Sequence, residues 1–233
     1  MAVLPNSSLP FNPYVPLWME LLGYDGLFVV DSIGKKKGGL ILLWKKPLVL
    51  TVASYSDGHI DSVVQDGEHR WRFTGFYGNP DTSKRKYSWE LMRKLAAMGE
   101  FEHLPWLIGG DFNEICSHNE KSGGRRRPET QIDEFNRVIE ECELREIYGE
   151  GDWFTSVNRR SGEEIIFEKL DRFLSTFNWR LLYPIAKKYT LEYYSSDHRA
   201  VGINWRSRVT MHLTNSEPRG RKFKFEKFWS IES

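Results

Sequence analysis

The sequence predicts an α/β fold in which helices cover mixed β-sheets, and three observations indicate it. Apolar strand-like runs dominate residues 24–77, amphipathic helical patterns follow, and short strands and helices then alternate as far as residue 205. The chain has 233 residues, 40% hydrophobic and 14% aromatic, which is enough to bury one good-sized core. A meander followed by alternating elements is typical of an α/β sandwich.

The first strands are predicted in two apolar runs, 24–30 and 38–44, which the turn sequence DSIGKKK separates. Three more strand-like runs follow, separated by Asp-Gly pairs at 57–58 and 66–67. Both residues of such a pair accept positive φ angles, which a two-residue hairpin turn requires. The middle of the chain is therefore predicted to be an antiparallel meander that ends at Tyr77.

Two amphipathic helices come next. Residues 83–99 place apolar side chains on one face and end with Gly99 as a predicted C-cap. Residues 130–149 have a similar apolar face, and Thr130 with Asp133 forms a capping box at the start. The remaining strands are predicted at 105–109, 153–155, 165–174 and 199–205.

Composition excludes several classes of protein. The net charge of +1 creates no overall field that attracts nucleic acid. Two cysteines, Cys116 and Cys142, argue against a disulfide framework and fit a reducing compartment. The N-terminal sequence lacks the pattern of a secretory signal, and the longest aliphatic run, at 40–44, is too short to cross a bilayer. We therefore expect an intracellular protein, nuclear or cytoplasmic, that neither binds membranes nor is secreted.

Three polar islands interrupt the apolar pattern, each at a junction between a strand and a loop. They are Asp111-Phe112-Asn113, Asp171 and Asp197-His198. Taken singly, each has a structural interpretation: a turn for the first, an acid buried against an arginine for the second, and a cap for the third. Because α/β sheets keep their functional sites at such junctions, we also expect these side chains to converge at one edge of the sandwich.

Together these side chains satisfy the needs of a Mg²⁺-dependent phosphodiesterase. Mg²⁺ prefers oxygen ligands and is usually held by one or two carboxylates, with further positions for water and phosphate. An Asp can deprotonate the attacking water, and an Asn can position it. A His can donate a hydrogen bond to the phosphate as negative charge builds up in the transition state.

Six motifs carry a resemblance to a known family. They are, in chain order, GYDGLFVVDSIGKKKGGLILLWK, GFYGNP, IGGDFNEI, RPETQIDEFNRVIEECEL, EKLDRFLS and SSDHRAV. In this order they resemble the endonuclease/exonuclease/phosphatase family, and most closely the apurinic-like endonuclease domain of plant LINE-type non-LTR retrotransposons. The resemblance implies a DNase-like, four-layer sandwich of two mixed β-sheets flanked by helices. It also implies a Mg²⁺-dependent DNA endonuclease that hydrolyses phosphodiester bonds, nicking the target site in retrotransposition.

The resemblance assigns a role to each residue of the candidate site. Asp111 would activate water, and Asn113 would position water and phosphate. Tyr77, in the GFYGNP motif, would contact the scissile phosphate, although a tyrosine at a strand end is equally typical of a core. Asp197 would orient His198, and His198 would contact the phosphate.

The remaining assignments concern the metal and its support. Mg²⁺ is the expected cofactor, with Asp111 and Asp197 as weak ligands. Asp171 would belong to a buried network beneath the site.

The sequence divides into three parts. Residues 1–19 are predicted to be irregular, residues 20–206 form the endonuclease/exonuclease/phosphatase-like domain, and residues 207–233 form a basic tail. The tail resembles the segment that links such endonucleases to their reverse transcriptase. DNA and a reverse transcriptase domain in cis are therefore the expected partners.

Two features of the family have no counterpart before residue 24. The family opens with a strand that carries an Asn, and its next strand ends in the Glu that is the main protein ligand of Mg²⁺. Asn6 and Asn12 lie in Pro-rich sequence that does not resemble a strand, and Glu20 falls where the family has a helix. We therefore expect the first one or two strands to be missing, with weak Mg²⁺ affinity and impaired nicking. Ser156 is a smaller departure, since plant elements commonly carry Trp there.

Two other functions remain open. A catalytically inactive remnant of the domain could bind nucleic acid weakly through Lys35–Lys37, Arg125–Arg127, Arg159-Arg160 and the tail. Such charge runs are also typical of solvated loops. A phosphatase of small phosphorylated ligands belongs to the same superfamily, but the plant-element motifs match this sequence better.

Overall fold

The computed structural model describes residues 2–6, 23–30, 39–158, 162–193 and 196–205 of the chain. The strands in these ranges are β1 (Ala2–Asn6), β2 (Gly26–Val30), β3 (Gly39–Trp44), β4 (Val49–Ser56), β5 (His59–Asp66), β6 (His69–Tyr77), β7 (Trp106–Asp111), β8 (Lys121–Ser122), β9 (Arg145–Glu146), β10 (Gly149–Glu150), β11 (Ser156–Val157), β12 (Phe167–Glu168), β13 (Asp171–Ser175), β14 (Lys187–Tyr193) and β15 (Arg199–Asn204). The α-helices are α1 (Arg85–Ala96), α2 (Glu129–Glu141) and α3 (Phe177–Leu182).

A six-stranded mixed sheet, in the order β4-β5-β6-β7-β13-β9, forms the centre of the domain. Strands β4, β5 and β6 make an antiparallel meander, β6 and β7 are parallel, and β13 is antiparallel to β7. In this register both Tyr77 and Asp171 are paired with Asp111. The end of β6, the end of β7 and the start of β13 therefore meet at one edge of the sheet.

Both faces of the central sheet are covered. On one face, side chains from the sheet β1-β3-β2 and the sheet β10-β14-β15 join those of the central strands in a single apolar cluster around the buried Trp71. On the other face, α1 and α2 pack their apolar sides, and the ring of Trp89 stacks on that of Phe135 at 4.6 Å. Burial of this apolar surface is the main stabilising contribution to such a fold.

A fourth, smaller sheet connects the core to the site. Its strand order is β11-β12-β8, and both pairs are antiparallel. Ser156, the first residue of β11, also forms an isolated β-bridge with His198. The segment that carries the Asp197-His198 motif is therefore attached to this small sheet.

The predicted fold class is confirmed: helices pack on mixed β-sheets, and the meander turns at Asp57-Gly58 and at Gly67-Glu68, one residue beyond the second Asp-Gly pair. The predicted basic tail at 207–233 lies outside the described residues, as do Lys35–Lys37 and Arg159-Arg160.

The expectation of an irregular N-terminal segment is wrong for Ala2–Asn6. These residues form β1 and pair antiparallel with β3 from Ala2 opposite Leu43 to Asn6 opposite Gly39. β1 is an edge strand of its sheet, and an edge position tolerates a proline such as Pro5 because only one side of the strand has to form hydrogen bonds. The partner strand therefore outweighs the local preference of this Pro-containing sequence.

Local predictions at the helix ends were also wrong. α1 ends at Ala96, and Gly99 instead begins a short 3₁₀ turn. α2 starts at Glu129, directly after Pro128, so that Thr130 lies inside the first turn and forms no cap. Proline fits the start of a helix because it has no N–H to leave unsatisfied. Sequence patterns also missed α3, β14 and the two-residue strands β8, β9 and β10.

Candidate active site

The glycines that precede Asp111 allow close contact between β7 and its neighbours. A Cβ atom on Gly110 would overlap the backbone carbonyl of Phe76 on β6, and one on Gly109 would overlap the ring of Phe173 on β13. Only glycine permits such close approach at both positions. The Gly-Gly pair therefore allows the strand ends that carry Tyr77, Asp111 and Asp171 to lie close together.

Asn113 holds the Asp111 carboxylate through both of its oxygens. The backbone N–H of Asn113 donates to Asp111 Oδ1 at 2.8 Å, and the side-chain Nδ2 donates to Oδ2 at 3.0 Å. The same Nδ2 group donates to the carbonyl of Gly78 at 2.9 Å. Asn113 has a φ of 55°, a left-handed conformation that Asn tolerates better than most residues. Residues 111–113 thus form a tight turn that orients the carboxylate of Asp111.

His198 is bound by Asp171 on one ring nitrogen and faces Ser156 with the other. The distance from Nδ1 to Asp171 Oδ2 is 2.9 Å, and that from Nε2 to Ser156 Oγ is 3.3 Å. The prediction that Asp197 orients His198 is wrong, because the side chain of Asp197 is exposed while that of Asp171 is buried beneath the ring. Neighbouring side chains in an extended segment point in opposite directions, so Asp197 and His198 do not face each other.

The two acids and the histidine perturb one another's charge. Burial by itself would lower the pKa of His198, but the hydrogen bond and charge of Asp171 outweigh it and raise the pKa to about 9. Burial, together with the charge of Asp171, raises the pKa of Asp111 to about 7. Burial and the charges of Asp111 and Asp197 raise the pKa of Tyr77. At neutral pH the site therefore holds an imidazolium beside a carboxyl group that is near its titration midpoint.

The cluster of Asp111, Asp171 and His198 has the donor atoms of a divalent-metal site. One ligand atom from each residue lies within 4.8 Å of the others. The two carboxylates fit Mg²⁺, which prefers oxygen ligands. The protonated imidazole would instead face the anion that such an ion binds. Asp197, the second ligand predicted from the sequence, is not a member of this cluster.

Comparison with known proteins identifies the family. The sequence matches the endonuclease/exonuclease/phosphatase family over residues 4–198. The chain belongs to this family. The resemblance predicted from the six motifs is therefore confirmed at the family level, and membership supports a domain of the nuclease or phosphodiesterase type. Among curated proteins, none matches the sequence significantly.

Solved structures support the same fold. The chain is similar to the endonuclease domain of TRAS1, a telomere-specific non-LTR retrotransposon, with a TM-score of 0.61 and 17% identity over 79% of this chain and 81% of that domain. It is also similar to TDP2 of D. rerio, solved in complex with a single-strand DNA product, with a TM-score of 0.51 and 13% identity over 85% and 83% of the two chains. The human nocturnin catalytic domain matches with a TM-score of 0.50 and 13% identity over 83% and 77%. At these identities the likeness concerns the fold.

This member of the endonuclease/exonuclease/phosphatase family also has a buried ion network that sequence analysis missed. Arg172 donates from Nη2 to Glu120 Oε2 at 2.9 Å, and Lys169 Nζ lies 2.8 Å from Glu146 Oε1. Asp171, which the resemblance places in a buried network beneath the site, is buried and binds His198, not the arginine of the structural interpretation. The sequence signal for this network was the presence of Lys169 and Arg172 in and next to the apolar strand β13. That signal did not show which acids the two cations would bind.

The structure brings Tyr77, Asp111, Asn113 and His198 together and leaves Asp197 at the rim. Ser156, which sequence analysis noted only as a departure from the family, lies within the site through its contact with His198. Within the described part of the chain, no helix has the length and apolar character needed to span a bilayer.

Proposed function

We propose that this domain is a Mg²⁺-dependent DNA endonuclease that hydrolyses a phosphodiester bond, with impaired activity. The observation that supports the proposal is the pair of hydrogen-bonded units at one sheet edge: Asn113 holding Asp111, and Asp171 holding His198. A base and a cationic donor held close together are the groups needed for attack of water on a phosphodiester. Nicking of a retrotransposition target site is the corresponding biological role.

In this mechanism Asp111 acts as the general base. Its carboxylate accepts a proton from the water that attacks phosphorus, while the phosphorus–oxygen bond to the leaving strand breaks. A pKa of about 7 suits this role, because a general base is most efficient when its pKa is near the working pH. The two hydrogen bonds from Asn113 keep the carboxylate in one orientation, so that little reorganisation precedes the proton transfer.

His198 and Tyr77 stabilise the negative charge that develops on the phosphate. Asp171 keeps His198 protonated at neutral pH, so that Nε2–H can donate to a non-bridging phosphate oxygen. The hydroxyl of Tyr77 stays protonated as well, because burial and nearby acids raise its pKa, and it can donate to the same group. Mg²⁺ bound at Asp111, with Asp171 nearby, would supply Lewis-acid stabilisation of the phosphate charge.

A second candidate function is a domain that binds nucleic acid without cutting it. The observation that favours it is the ion pair between Asp171 and His198, which commits one of the two carboxylates of the cluster. Asp111 is then the carboxylate most available to a metal. A single carboxylate holds Mg²⁺ weakly, because most of the coordination sphere remains water.

A plasmid-nicking assay separates the two functions. We expect slow conversion of supercoiled DNA to the open circular form with Mg²⁺, and none with EDTA. Asp111→Asn should lower the rate at least about 100-fold, which is the usual contribution of a general base. Nicking that survives in Asp111→Asn would contradict the mechanism. DNA binding by the wild-type protein without any nicking would favour the second candidate.

A further inference from the structure

A basic cavity lies on the small sheet beside the candidate active site, and the proposed mechanism does not use it. The cavity has a volume of about 220 Å³ and is lined by His118, Lys121, Gly123, Gly124 and Arg126. Among the described residues that line it, every titratable side chain is basic. A concave surface with this composition favours an anionic ligand.

The loop that forms the cavity is held in one shape. Gly123 and Gly124 have φ angles of +83° and +64°, and a Cβ atom on either would overlap the facing segment 165–166. Behind the loop, Arg127 turns inward and lies 3.1 Å from Glu168. The loop is therefore packed against the domain on more than one side, and the cavity does not depend on a freely moving surface segment.

The basic side chains that line the cavity differ in how far acids match them. Lys121 Nζ lies 2.9 Å from Glu168, which also binds Arg127, and Arg127 in turn lies 3.4 Å from Glu114. The Nε2 atom of His118 lies 2.6 Å from Glu129. Arg126 is exposed and forms no ion pair within the described ranges of the chain. Its guanidinium presents five N–H donors, a geometry suited to phosphate oxygens.

The small sheet sets the distance between the cavity and the active site. His198 is bridged to Ser156 on β11, and the strand order β11-β12-β8 leads from there to Lys121. Neighbouring strands are about 4.8 Å apart, so that three spacings separate His198 from Lys121 by about 14 Å. A phosphate bound in the cavity would therefore lie at about this distance from a phosphate that contacts His198.

We propose that the cavity binds a backbone phosphate of the DNA about 14 Å from the scissile phosphate. The inference rests on the proposed function for its choice of DNA as the source of the phosphate. Arg126 is the main donor to this group, and Lys121 adds to the local positive potential. Phosphate contacts set the register of a duplex without reading its bases, so this contact aligns the DNA over Asp111 and does not select the sequence that is cut.

Salt-dependent DNA binding tests the proposal. Fluorescence anisotropy would use a labelled duplex long enough to cover both sites, in EDTA so that cleavage cannot interfere. The variant is Arg126→Gln, and the matched control is Arg70→Gln. Arg70 is also exposed and without an ion pair in the described chain, but it lies near the start of β6, whereas Tyr77 ends that strand at the active site. Seven residues of strand correspond to about 23 Å.

We expect Arg126→Gln to weaken binding about five- to tenfold at low salt. It should also reduce the magnitude of the slope of log K against log salt concentration by about 1, the effect of one lost phosphate contact. Arg70→Gln should change neither quantity. Equal affinity and slope for the wild type and Arg126→Gln would overturn the proposal. An equal loss in Arg70→Gln, or no binding of duplex by the wild type, would overturn it as well.

Two further arms separate the possible explanations. Inorganic phosphate presents the same chemistry as a free ion, so thermal stabilisation by phosphate that depends on Arg126, with DNA affinity independent of Arg126, would refute the assignment to DNA. The nicking assay separates this proposal from the proposed function. Binding through Arg126 without nicking would refute only the nuclease, and nicking with binding unaffected by Arg126→Gln would refute only the cavity's role.

Discussion

Two groups of buried charges occur side by side in this domain and differ in how completely their charges are matched. In the ion network, the acids Glu120 and Glu146 meet the cations Lys169 and Arg172. In the site, Asp111 and Asp171 meet the imidazole of His198. The charge of the first group is balanced, whereas the second has an excess of acid. Asp111 is the unmatched acid, and burial together with the charge of Asp171 raises its pKa to about 7.

A single strand supplies both groups. Asp171 and Arg172 are adjacent residues of β13, and successive side chains of a strand point to opposite faces. Asp171 therefore faces the site and binds His198, while Arg172 faces the network and binds Glu120. The two groups therefore differ in role: the matched charges of the ion network stabilise the fold, whereas the unmatched acid of the site indicates where catalysis is expected.

The largest effect is expected from breaking the matched group. Arg172→Met leaves Glu120 and Glu146 buried without their main partner, and we expect the free energy of unfolding to fall by about 3–5 kcal/mol. The matched control is Arg93→Met, which removes an Arg–Glu contact of 2.6 Å at a partly exposed position and should cost about 0–1 kcal/mol. Urea unfolding of both variants measures the difference. Similar losses in the two would show that burial of the network has no special energetic weight.

An intermediate effect is expected from neutralising the unmatched acid. The folded-state pKa of Asp111 lies near 7, above its ordinary value of 3.8, so the native state binds the proton more tightly than the unfolded state. The stability this provides is present at low pH and is lost as the pH rises through 7. Asp111→Asn should remove that loss. Solvent and His198 screen the half-buried carboxylate, so the expected magnitude is about 1–2 kcal/mol.

Urea unfolding at pH 5 and pH 8 measures this change. Between these two values the wild type should lose about 1–2 kcal/mol more stability than Asp111→Asn does. Asp111→Asn also loses a hydrogen bond, but this loss lowers the stability equally at both pH values. It therefore does not contribute to the difference in stability between pH 5 and pH 8. An equal pH dependence in the two proteins would mean that the charge of Asp111 is already compensated.

The smallest effect concerns Mg²⁺. We expect the ion to bind with a Kd weaker than about 0.1 mM, or about 5.5 kcal/mol, because few protein carboxylates are available to it. At about 1 mM Mg²⁺ the stabilisation of the fold should then stay below about 1.4 kcal/mol. Titration calorimetry on the wild type and Asp111→Asn would measure this binding. Tighter binding than 0.1 mM would show that the site contains ligands beyond Asp111 and Asp171.

Much of the domain could be predicted from sequence because its signals are local. Two Asp-Gly pairs indicate the turns of the meander, and its strands were found. The GDFN segment was recognised as a site because an acid and an amide follow a buried strand. The local signal was weak in β1, which contains a proline, and the seven-residue strand β14 was missed as well.

The sequence by itself determined the family, the meander and the residue types of the site, since each of these depends on residues close together in the chain. Only the tertiary structure decided which groups are partners. Asp171 binds His198 from 27 residues away, while Asp197, its chain neighbour, remains exposed. Pairing of β7 with β6 and β13 places Tyr77, Asp111 and Asp171 in line, and β11 holds His198 against them. Such contacts depend on the register of strands distant in sequence, which no local pattern specifies.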